Sequence, residues 1–336
     1  MSIDKKMRIG ILGDGGWGTA LAILLVKKGY AVGLWGVFPA YLEVLEKKRE
    51  NIKFLPGIRI PSAVEIIKDA KEIIENSSII VVAVPSKYLR ETLKKFTAFD
   101  FCNKIILSVV KGMEINSYLR PSEVIQDVLG KVKIGVLSGP SIAREVAQGI
   151  PTAVVIAARE IQLARKLQRI FSTENFRVYT HSDVIGVELG GALKNIIALA
   201  CGISDGLGFG TNTKSALLNR GLLEIIRLGV TLGAQPETFW GLSGLGDLVT
   251  TCFSPYSRNR RVGEEIGKGK KITAILKKME MIAEGVFTVR AAYALAKKYK
   301  IEMPITEQVY KVLYENKSPS GAVKELMTRK LKPEFS

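Results

Sequence analysis

Histidine is nearly absent, since the 336 residues contain one, His181. It lies in Thr180-His181-Ser182-Asp183, outside any metal-binding or catalytic pattern, and we interpret it as a surface residue or a neighbour of a helix cap. Histidine is the most frequent general acid or base in enzymes. Proton transfer in this protein is therefore expected to use lysine, a carboxylate, cysteine or tyrosine, and no metal site is predicted.

Cysteine is also scarce, and long apolar runs are missing. Cys102, Cys201 and Cys252 are widely separated and odd in number, which is typical neither of a disulfide framework nor of a zinc site. No run approaches the roughly 18 apolar residues that span a bilayer, and the N-terminus lacks the apolar segment of a signal peptide. We expect a cytoplasmic protein with reduced thiols and no integral membrane segment.

Negative charge is in short supply, because 49 lysines and arginines face 32 carboxylates, a formal net charge of +17. Such a balance is compatible with nucleic acid, an anionic membrane surface, a small anionic substrate, or a lysine-rich surface without a specific partner. No zinc finger, aromatic RNA-binding signature or long basic tail is present. We therefore expect no nucleic-acid partner.

Short apolar runs separated by helical segments characterise the first half of the chain. They are Arg8–Leu12, Ala31–Trp35, Ile79–Val84, Ile105–Val110, Ile134–Leu137 and Ala153–Ala157. Strands of this kind are buried on both faces, which favours a parallel sheet covered by helices. After about Asp183 helical patterns take over. The predicted fold is α/β, a Rossmann-type doubly wound parallel sheet (1–182) followed by an all-helical C-terminal domain (183–336), with the catalytic cleft between them.

The glycine-rich segment Gly13-Asp14-Gly15-Gly16-Trp17-Gly18 follows the first strand directly and opens a helix. In this pattern Gly13 permits a tight turn, Gly15 lets the backbone approach a pyrophosphate, and Gly18 lets helix and strand pack closely. The helix N-terminus offers N–H groups to the phosphates. The segment predicts a dinucleotide site, in which Asp14 is unusual because a carboxylate repels a pyrophosphate unless its side chain points away.

The end of the second strand leaves the choice of cofactor open. NAD-binding proteins usually carry an acid there, whereas an arginine nearby accommodates the 2′-phosphate of NADP. Residues 35–39, Trp-Gly-Val-Phe-Pro, contain neither. We therefore expect NAD(H), NADP(H) or both.

Lys194 is the one cation of the apolar helix around Gly190-Gly191-Ala192-Leu193. It has two interpretations. Its ammonium group could extend from a buried helix to water, as lysines commonly do. Alternatively it is a general base, because burial and a neighbouring cation lower the pKa of a lysine toward neutrality. Lys111, after a predicted sheet strand, is a candidate for that second cation.

The segment 257–261, Ser-Arg-Asn-Arg-Arg, combines three arginines with two small polar residues. Arginine matches phosphate oxygens, so the segment favours an anion site over a solvated basic helix start. Asp247 follows a glycine-rich loop. It has three possible roles: holding substrate hydroxyls, orienting a lysine, or capping a helix.

Together these motifs resemble the bacterial NAD(P)-dependent glycerol-3-phosphate dehydrogenase family nearly end to end. Beyond the glycine turn, the matching segments are 54–56 (Phe-Leu-Pro), 84–86 (Val-Pro-Ser), 111–114 (Lys-Gly-Met-Glu), 137–141 (Leu-Ser-Gly-Pro-Ser), 186–195, 244–248 (Gly-Leu-Gly-Asp-Leu), 257–261 and 302–307.

The resemblance implies reversible reduction of dihydroxyacetone phosphate to sn-glycerol 3-phosphate for phospholipid synthesis, and we expect a homodimer. It implies that Lys194 is the proton acceptor from the substrate C2 hydroxyl and that Lys111 adds positive potential. The implied substrate site comprises Lys111, Gly139, Ser141, Lys194, Asp247, Ser257, Arg258 and Asn259. The implied cofactor contacts are Gly16, Trp17, Val37, Ala143, Ile282 and Glu284, together with Lys111 and Arg258, and they add to Gly13, Gly15 and Gly18 of the glycine turn.

The chain departs from the family pattern in the turn and beyond it. Asp14 and Gly16 stand where the family usually has alanine and serine, and Val37 stands where a basic residue is frequent. Val37 puts a strong preference for NADP in doubt. Two rival functions are a related 3-hydroxyacyl or 2-hydroxy acid dehydrogenase, which commonly uses a histidine, and an inactive nucleotide sensor. The single His181 and the intact Lys, Asp and Arg set disfavour them.

Overall fold

The computed structural model describes residues 7–334. Ten strands lie in this part of the chain. They are β1 (Arg8–Leu12), β2 (Ala31–Trp35), β3 (Glu50–Asn51), β4 (Leu55–Arg59), β5 (Val64–Ile66), β6 (Ile79–Val82), β7 (Ile105–Ser108), β8 (Lys133–Ser138), β9 (Thr152–Ala157) and β10 (Phe176–His181). The helices of the first half are α1 (Gly16–Lys27), α2 (Pro39–Lys48), α3 (Ala70–Asn76), α4 (Leu89–Lys94), α5 (Pro121–Leu129), α6 (Ala143–Gln148) and α7 (Ile161–Phe171).

Eight strands form one sheet in the order β10-β9-β8-β7-β6-β1-β2-β5, while β3 and β4 form a separate antiparallel pair. Neighbouring strands of the sheet are parallel except β8 and β9. The six strands of this sheet that come first along the chain lie in the order β5-β2-β1-β6-β7-β8, which is the doubly wound order. The direction of winding reverses between β1 and β6. The predicted fold class is confirmed, and ligands of such sheets bind at this reversal.

The buried strands explain why the sheet forms. All four residues of β6 are buried, as are the last four of β1 and of β2. Helices on both faces remove these apolar side chains from water, which supplies the main driving force for folding. The edge strand β10 was not predicted, because its alternation of buried Phe176 and Val178 with exposed Arg177 and Tyr179 covers only a few residues.

The second half of the chain is helical. Its helices are α8 (Val184–Gly206), α9 (Thr211–Thr231), α10 (Asp247–Phe253), α11 (Arg258–Gly267), α12 (Ile272–Lys278), α13 (Glu284–Tyr299), α14 (Pro304–Tyr314) and α15 (Pro319–Met327), with a 3₁₀ turn at Pro236–Trp240 and a π-helical turn at Leu242–Gly246. A hydrophobic cluster separate from that of the sheet surrounds α8. The all-helical C-terminal part is thus confirmed.

Helix α8 lies at the centre of this part. Asp183 caps it, since its carboxylate accepts hydrogen bonds from the N–H of Gly186 at 2.8 Å and the hydroxyl of Thr238 at 2.7 Å. His181 accepts from the N–H of Asp183 at 2.9 Å, in agreement with its interpretation as a neighbour of the cap. Among the described residues, α8 alone is long and apolar enough to cross a membrane, but 89% of its apolar window is buried by packing. We therefore describe it as a core helix.

Glycines bring α8 and α11 into backbone contact. A Cβ atom on Gly202 would lie 2.0 Å from the carbonyl oxygen of Arg260, and one on Gly263 would lie 2.1 Å from that of Leu199. No side chain fits between the helices at these points. The contact places the start of α11, with Asn259, beside Asn195 on α8.

Candidate active site

The glycine turn lies at the carboxyl end of β1, where the sheet reverses its winding. The N–H of Gly13 donates to the carbonyl oxygen of Trp35, the last residue of β2, at 2.8 Å. Gly13 has φ +123°, and a Cβ atom there would lie 2.7 Å from the backbone of Ala83 after β6. A Cβ atom on Gly18 would lie 1.9 Å from the carbonyl oxygen of Gly13. The turn therefore requires glycine at both positions.

The turn has the features that a dinucleotide needs. Nothing lies within 4 Å of a Cβ atom built on Gly15, so one side of the turn is open. Helix α1 begins at Gly16 without a side-chain cap, which leaves its first N–H groups available to an anion. The indole Nε1 of Trp17 is buried and has no hydrogen-bond partner. An open turn lined with unused donors fits a pyrophosphate.

A buried polar network contacts the glycine turn at Asp14 and helix α1 at Thr19. The amide Nδ2 of Asn51 donates to the carbonyl oxygen of Asp14 and to the hydroxyl of Thr19, both at 2.7 Å. The hydroxyl of Tyr41 donates to Oδ1 of Asn51 at 2.7 Å. Asn51 was not among the predicted site residues, and its only signal in the sequence is its place shortly before the segment 54–56. The network fixes the backbone of the turn.

The carboxyl group of Asp14 lies over Gly36, the residue that follows β2. A Cβ atom on Gly36 would come within 2.3 to 2.5 Å of all three carboxyl atoms. The Oδ2 atom is buried without a hydrogen-bond partner, and burial raises the pKa of Asp14. The side chain thus points away from the helix N-terminus and toward the end of the second strand. Phe38, two residues further on, is 70% exposed.

A single carboxylate joins the two predicted lysines. Lys194, on α8 and 5% exposed, donates from Nζ to Oδ1 of Asp247 and to the hydroxyl of Thr251 at 2.6 Å. Lys111, after β7, donates to Oδ2 of Asp247 at 2.7 Å. Of the three roles considered for Asp247, the structure supports orienting a lysine. The N-cap of α10 is Gly246, so Asp247 is not the cap.

The loop after β8 completes the surroundings of Lys111. Its Nζ donates to the carbonyl oxygen of Gly139 at 2.8 Å and to the hydroxyl of Ser141 at 2.9 Å. Both residues belong to the substrate site implied by the family resemblance. The structure therefore brings Lys111, Gly139 and Ser141 together with Lys194 and Asp247 in one cluster.

Burial sets the protonation of Lys194. Removal from water disfavours the ammonium form and lowers the pKa of Lys194 to about 7. The Asp247 carboxylate opposes this shift, and the positive charge of Lys111 adds to it. The interpretation of Lys194 as a lysine reaching out to water is wrong, because its side chain ends in a buried cluster. A buried lysine that exchanges a proton near neutrality is suited to acid–base chemistry.

The arginine segment divides in two. Ser257 caps α11 by accepting from the N–H of Arg260 at 3.2 Å, and the guanidinium of Arg260 is paired with Asp205 at 2.7 Å. Arg258 is exposed, whereas its neighbour Asn259 is buried. An anion at the start of this helix would therefore meet Arg258 rather than Arg260.

Asn195 ties this segment to the lysine cluster. The Nδ2 atom of Asn259 donates to Oδ1 of Asn195 at 2.8 Å, and Asn195 donates to the carbonyl oxygen of Lys111 at 3.3 Å. On its other side Asn259 accepts from the N–H of Gly285 at 2.9 Å. Asn195 was not among the predicted site residues, since an asparagine in an apolar helix carries no pattern that reveals its partner.

Of the remaining predicted cofactor contacts, Ala143 lies beside the turn and Glu284 reaches the loop after β6. Glu284, the first residue of α13, accepts from the N–H of Ser86 at 2.9 Å and from its hydroxyl, so it reaches the loop after β6. Ala143, at the start of α6, lies 3.9 Å from a Cβ atom built on Gly16. Val37 and Ile282 are partly buried.

Two models of one protein family match the chain, each over one segment. Residues 8–164 match the model of the N-terminus of NAD-dependent glycerol-3-phosphate dehydrogenase, and residues 183–324 match that of its C-terminus. A glycerol-3-phosphate dehydrogenase (NAD(P)+) of Citrifermentans bemidjiense is 50% identical over 97% of this chain and 98% of its own. One of Chlorobium luteolum is 47% identical over 98% and 99%.

Solved structures agree with these matches. The glycerol-3-phosphate dehydrogenase of Coxiella burnetii superposes with a TM-score of 0.93 and 40% identity, covering 96% of this chain and 99% of that one. That of Saccharomyces cerevisiae has a TM-score of 0.81 and 27% identity, covering 97% and 100%. The chain belongs to the NAD-dependent glycerol-3-phosphate dehydrogenase family.

Proposed function

We propose that this protein catalyses the reversible, NAD(P)H-dependent reduction of dihydroxyacetone phosphate to sn-glycerol 3-phosphate and serves glycerophospholipid biosynthesis. The chain is an NAD(P)-dependent oxidoreductase of its family. The observation that carries the mechanism is that buried Lys194 and partly buried Lys111 share one Asp247 carboxylate, in a chain whose sheet presents an open glycine turn at its reversal point. Such a pair supplies a proton and positive potential at the carbonyl to be reduced.

Lys194 acts as the proton donor. A nicotinamide cofactor held at the glycine turn would supply the hydride to substrate C2 in reduction and accept it in oxidation. Protonated Lys194 gives its proton to the oxygen at C2 during reduction, and neutral Lys194 takes it back during oxidation. A pKa of about 7 makes both forms available near neutral pH, which is the condition for efficient general acid–base catalysis.

Lys111 and Asp247 prepare the surroundings of that proton. Asp247 orients both ammonium groups, since each of its oxygens accepts from one lysine. With both lysines protonated, the cluster has one more positive than negative charge, and this favours the negative oxygen that develops at C2. Gly139 and Ser141 hold the ammonium of Lys111 in place.

The start of α11 is proposed to bind the substrate phosphate. Arg258 is exposed there and its guanidinium matches phosphate oxygens in two parallel hydrogen bonds. Ser257 and Asn259 flank it. Asn259 uses one amide hydrogen for Asn195, so the second is available to a substrate oxygen.

The dinucleotide is proposed to lie across the turn. The backbone of residues 13–18 and the side chain of Trp17 would hold the pyrophosphate. Further contacts are proposed for Lys111, Val37, Ala143, Arg258, Ile282 and Glu284. Of these, Lys111 and Arg258 serve both ligands, because the transferred hydride requires nicotinamide and substrate to be adjacent.

The test is consumption of reduced nicotinamide, followed by absorbance with NADH and NADPH in parallel. We expect turnover with dihydroxyacetone phosphate and little with dihydroxyacetone, which lacks the phosphate. Arg258→Ala is expected to raise KM for the phosphorylated substrate by a larger factor than it slows the weak reaction of dihydroxyacetone, because only the first reaction loses a phosphate contact. Absence of turnover with either cofactor would contradict the proposal.

We further propose the domain division at residues 182 and 183, a homodimer and a cytoplasmic location. Two hydrophobic clusters support the division. Large exposed apolar side chains on the helical part, at Trp240, Phe253 and Tyr256, support an interface between subunits. Three unpaired cysteines are compatible with a reducing compartment. Light scattering after gel filtration tests the dimer, limited proteolysis the division, and cell fractionation the location.

A further inference from the structure

We propose that Asp14 takes the place of the acid that is missing after β2, binds a hydroxyl of the adenosine ribose, and makes the enzyme prefer NADH to NADPH. The inference rests on the dinucleotide site of the proposed function and adds the choice of cofactor to it. It concerns an acid that lies within the glycine turn itself, while residues 35–39 at the end of the second strand contain none.

The carboxyl group of Asp14 lies at the end of the second strand. In doubly wound folds the acid that holds the ribose lies at the end of the second strand. Here the hydrogen bond from Gly13 to Trp35 joins the turn to that strand end, and the Asp14 carboxyl group lies directly over Gly36. A carboxylate thus reaches the usual position from the neighbouring turn.

The carboxyl group of Asp14 packs closely against Gly36. A Cβ atom at residue 36 would come to 2.3 Å from Cγ of Asp14, closer than real Cβ contacts. Gly36 is neither in a left-handed conformation nor part of the turn itself, so its lack of a side chain is explained by the space that the carboxyl group occupies. The two residues form a matched pair.

Hydrogen bonds hold the backbone of Asp14 in a fixed position. The carbonyl oxygen of Asp14 accepts from Asn51 at 2.7 Å, and Asn51 is held in turn by Thr19 and Tyr41. With its backbone fixed, Asp14 has only its two side-chain torsions to adjust. A hydrogen bond from a ligand to such a group costs little conformational entropy.

The carboxyl group of Asp14 has an acceptor atom without a hydrogen-bond donor. Its Oδ2 atom is buried without a partner, and no ion pair to Asp14 occurs within residues 7–334. A buried polar atom without a partner is costly. A ribose hydroxyl is a donor that would relieve this cost. In NADPH the 2′-phosphate replaces that donor with negative charge, and the adjacent Val37 provides no cation to offset it.

The test measures binding of fragments that cannot react, namely ADP-ribose and 2′-phospho-ADP-ribose, by calorimetry. We expect the wild type to bind ADP-ribose more tightly by about tenfold or more, the value typical of a hydrogen bond to a charged group. Asp14→Asn keeps the shape but loses the charge, and Asp14→Ala removes the carboxyl group altogether. Both are expected to reduce the ratio of the two dissociation constants by about tenfold.

Two further variants separate this role from a general effect on the turn. Asp100→Asn is the matched control, because Asp100 is a carboxylate before the amino end of β7, whereas the glycine turn follows the carboxyl end of β1, and the ratio should not change. Gly36→Ala is expected to displace the carboxyl group and lower the ratio in the wild type. In the Asp14→Ala background it should have no further effect, because the atoms with which its Cβ collides are gone.

Three results would overturn the inference: a wild type that prefers the 2′-phosphorylated fragment, a ratio unchanged within twofold in Asp14→Asn, or an effect of Gly36→Ala that persists in the Asp14→Ala background. Failure of the proposed function is distinguishable, because it is read from the reaction of the wild type with dihydroxyacetone phosphate. A protein without that reaction that still discriminates the fragments through Asp14 would retain this inference and lose the function.

Discussion

Lys194 and Lys111 donate to opposite oxygens of one carboxylate, that of Asp247. The three side chains come from α8, the loop after β7 and the start of α10, so both parts of the chain contribute. Positive charge on Lys111 and burial lower the pKa of Lys194, while Asp247 limits the shift.

Removing the amine of Lys194 should abolish the chemical step and spare cofactor binding. We expect Lys194→Ala to lower kcat by about 10²- to 10⁴-fold, the usual contribution of a general acid–base group. The dissociation constant of the reduced cofactor, measured by fluorescence titration, should change little. Lys297→Ala, at an exposed lysine on α13, is the control. Near-normal turnover in Lys194→Ala would show that another group transfers the proton.

Asp247→Asn should shift the pH dependence toward acid. The Asp247 carboxylate raises the pKa of Lys194, so its loss lowers that pKa below about 7. Reduction uses protonated Lys194, and its rate falls as the pH rises through this pKa. The fall should therefore begin at lower pH in the variant, as measured by kcat for reduction across the pH range. A profile displaced toward alkaline pH would contradict the assigned role of Asp247.

Lys111→Met should shift the same profile in the opposite direction. The positive charge of Lys111 lowers the pKa of Lys194, so its removal raises that pKa and extends reduction to higher pH. The rate at the plateau should fall as well, because Lys111 no longer favours negative charge at the substrate oxygen. The measurement is again kcat against pH. Opposite displacements in Lys111→Met and Asp247→Asn separate electrostatic coupling from general damage to the site.

The sequence predicted which residues carry the chemistry of this site better than it predicted which residues they contact. Lys194 was recognisable because a lone cation in an apolar helix requires a partner or a function. Asp247 kept three possible roles, because the packing of α10 against α8 decides which groups its oxygens meet. Asn195 and Asn51 were missed, since a buried asparagine breaks no periodic pattern and its partners are distant in the chain.

The fold followed a similar division. The strands of the sheet were predictable because uninterrupted apolar runs such as Ile79–Val82 occur where a strand is buried on both faces. Short elements escaped, including α12, α15 and the π-helical turn before Asp247, because one or two helical turns carry too few apolar positions for a pattern. The direction of the Asp14 side chain depends on a backbone hydrogen bond to another strand and was likewise unpredictable.

Glu224 should make stability depend on pH. Its buried carboxyl group accepts from the N–H groups of Ile305 and Thr306 at the start of α14, and burial raises its pKa to about 7. Because the folded-state pKa lies above the ordinary value of 4.5, its contribution is complete below about pH 4.5 and is lost as the pH rises through 7. The loss is at most about 3 kcal/mol.

Glu224→Gln is the variant that tests this dependence, since it cannot titrate but keeps an acceptor for the helix start. The melting temperature of the wild type, relative to that of Glu224→Gln, should fall between pH 4.5 and 7. Glu315→Gln, at a carboxylate just after α14, serves as a control for the general effect of charge removal. Parallel melting curves for wild type and Glu224→Gln over this range would show that Glu224 does not titrate there.

The contact between α8 and α11 should link stability to substrate binding. In Gly202→Ala the new Cβ would lie 2.0 Å from the carbonyl oxygen of Arg260, so α11 must move away. We expect a loss of stability of about 1–3 kcal/mol, as for an overpacked core. Asn259 and Arg258 lie at the start of α11, so KM for dihydroxyacetone phosphate should rise more than kcat falls. Gly210→Ala is the matched control, because nothing lies within 4 Å of its Cβ position and its φ is negative. Equal melting temperatures and KM values for the two variants would show that the helices do not depend on this close approach.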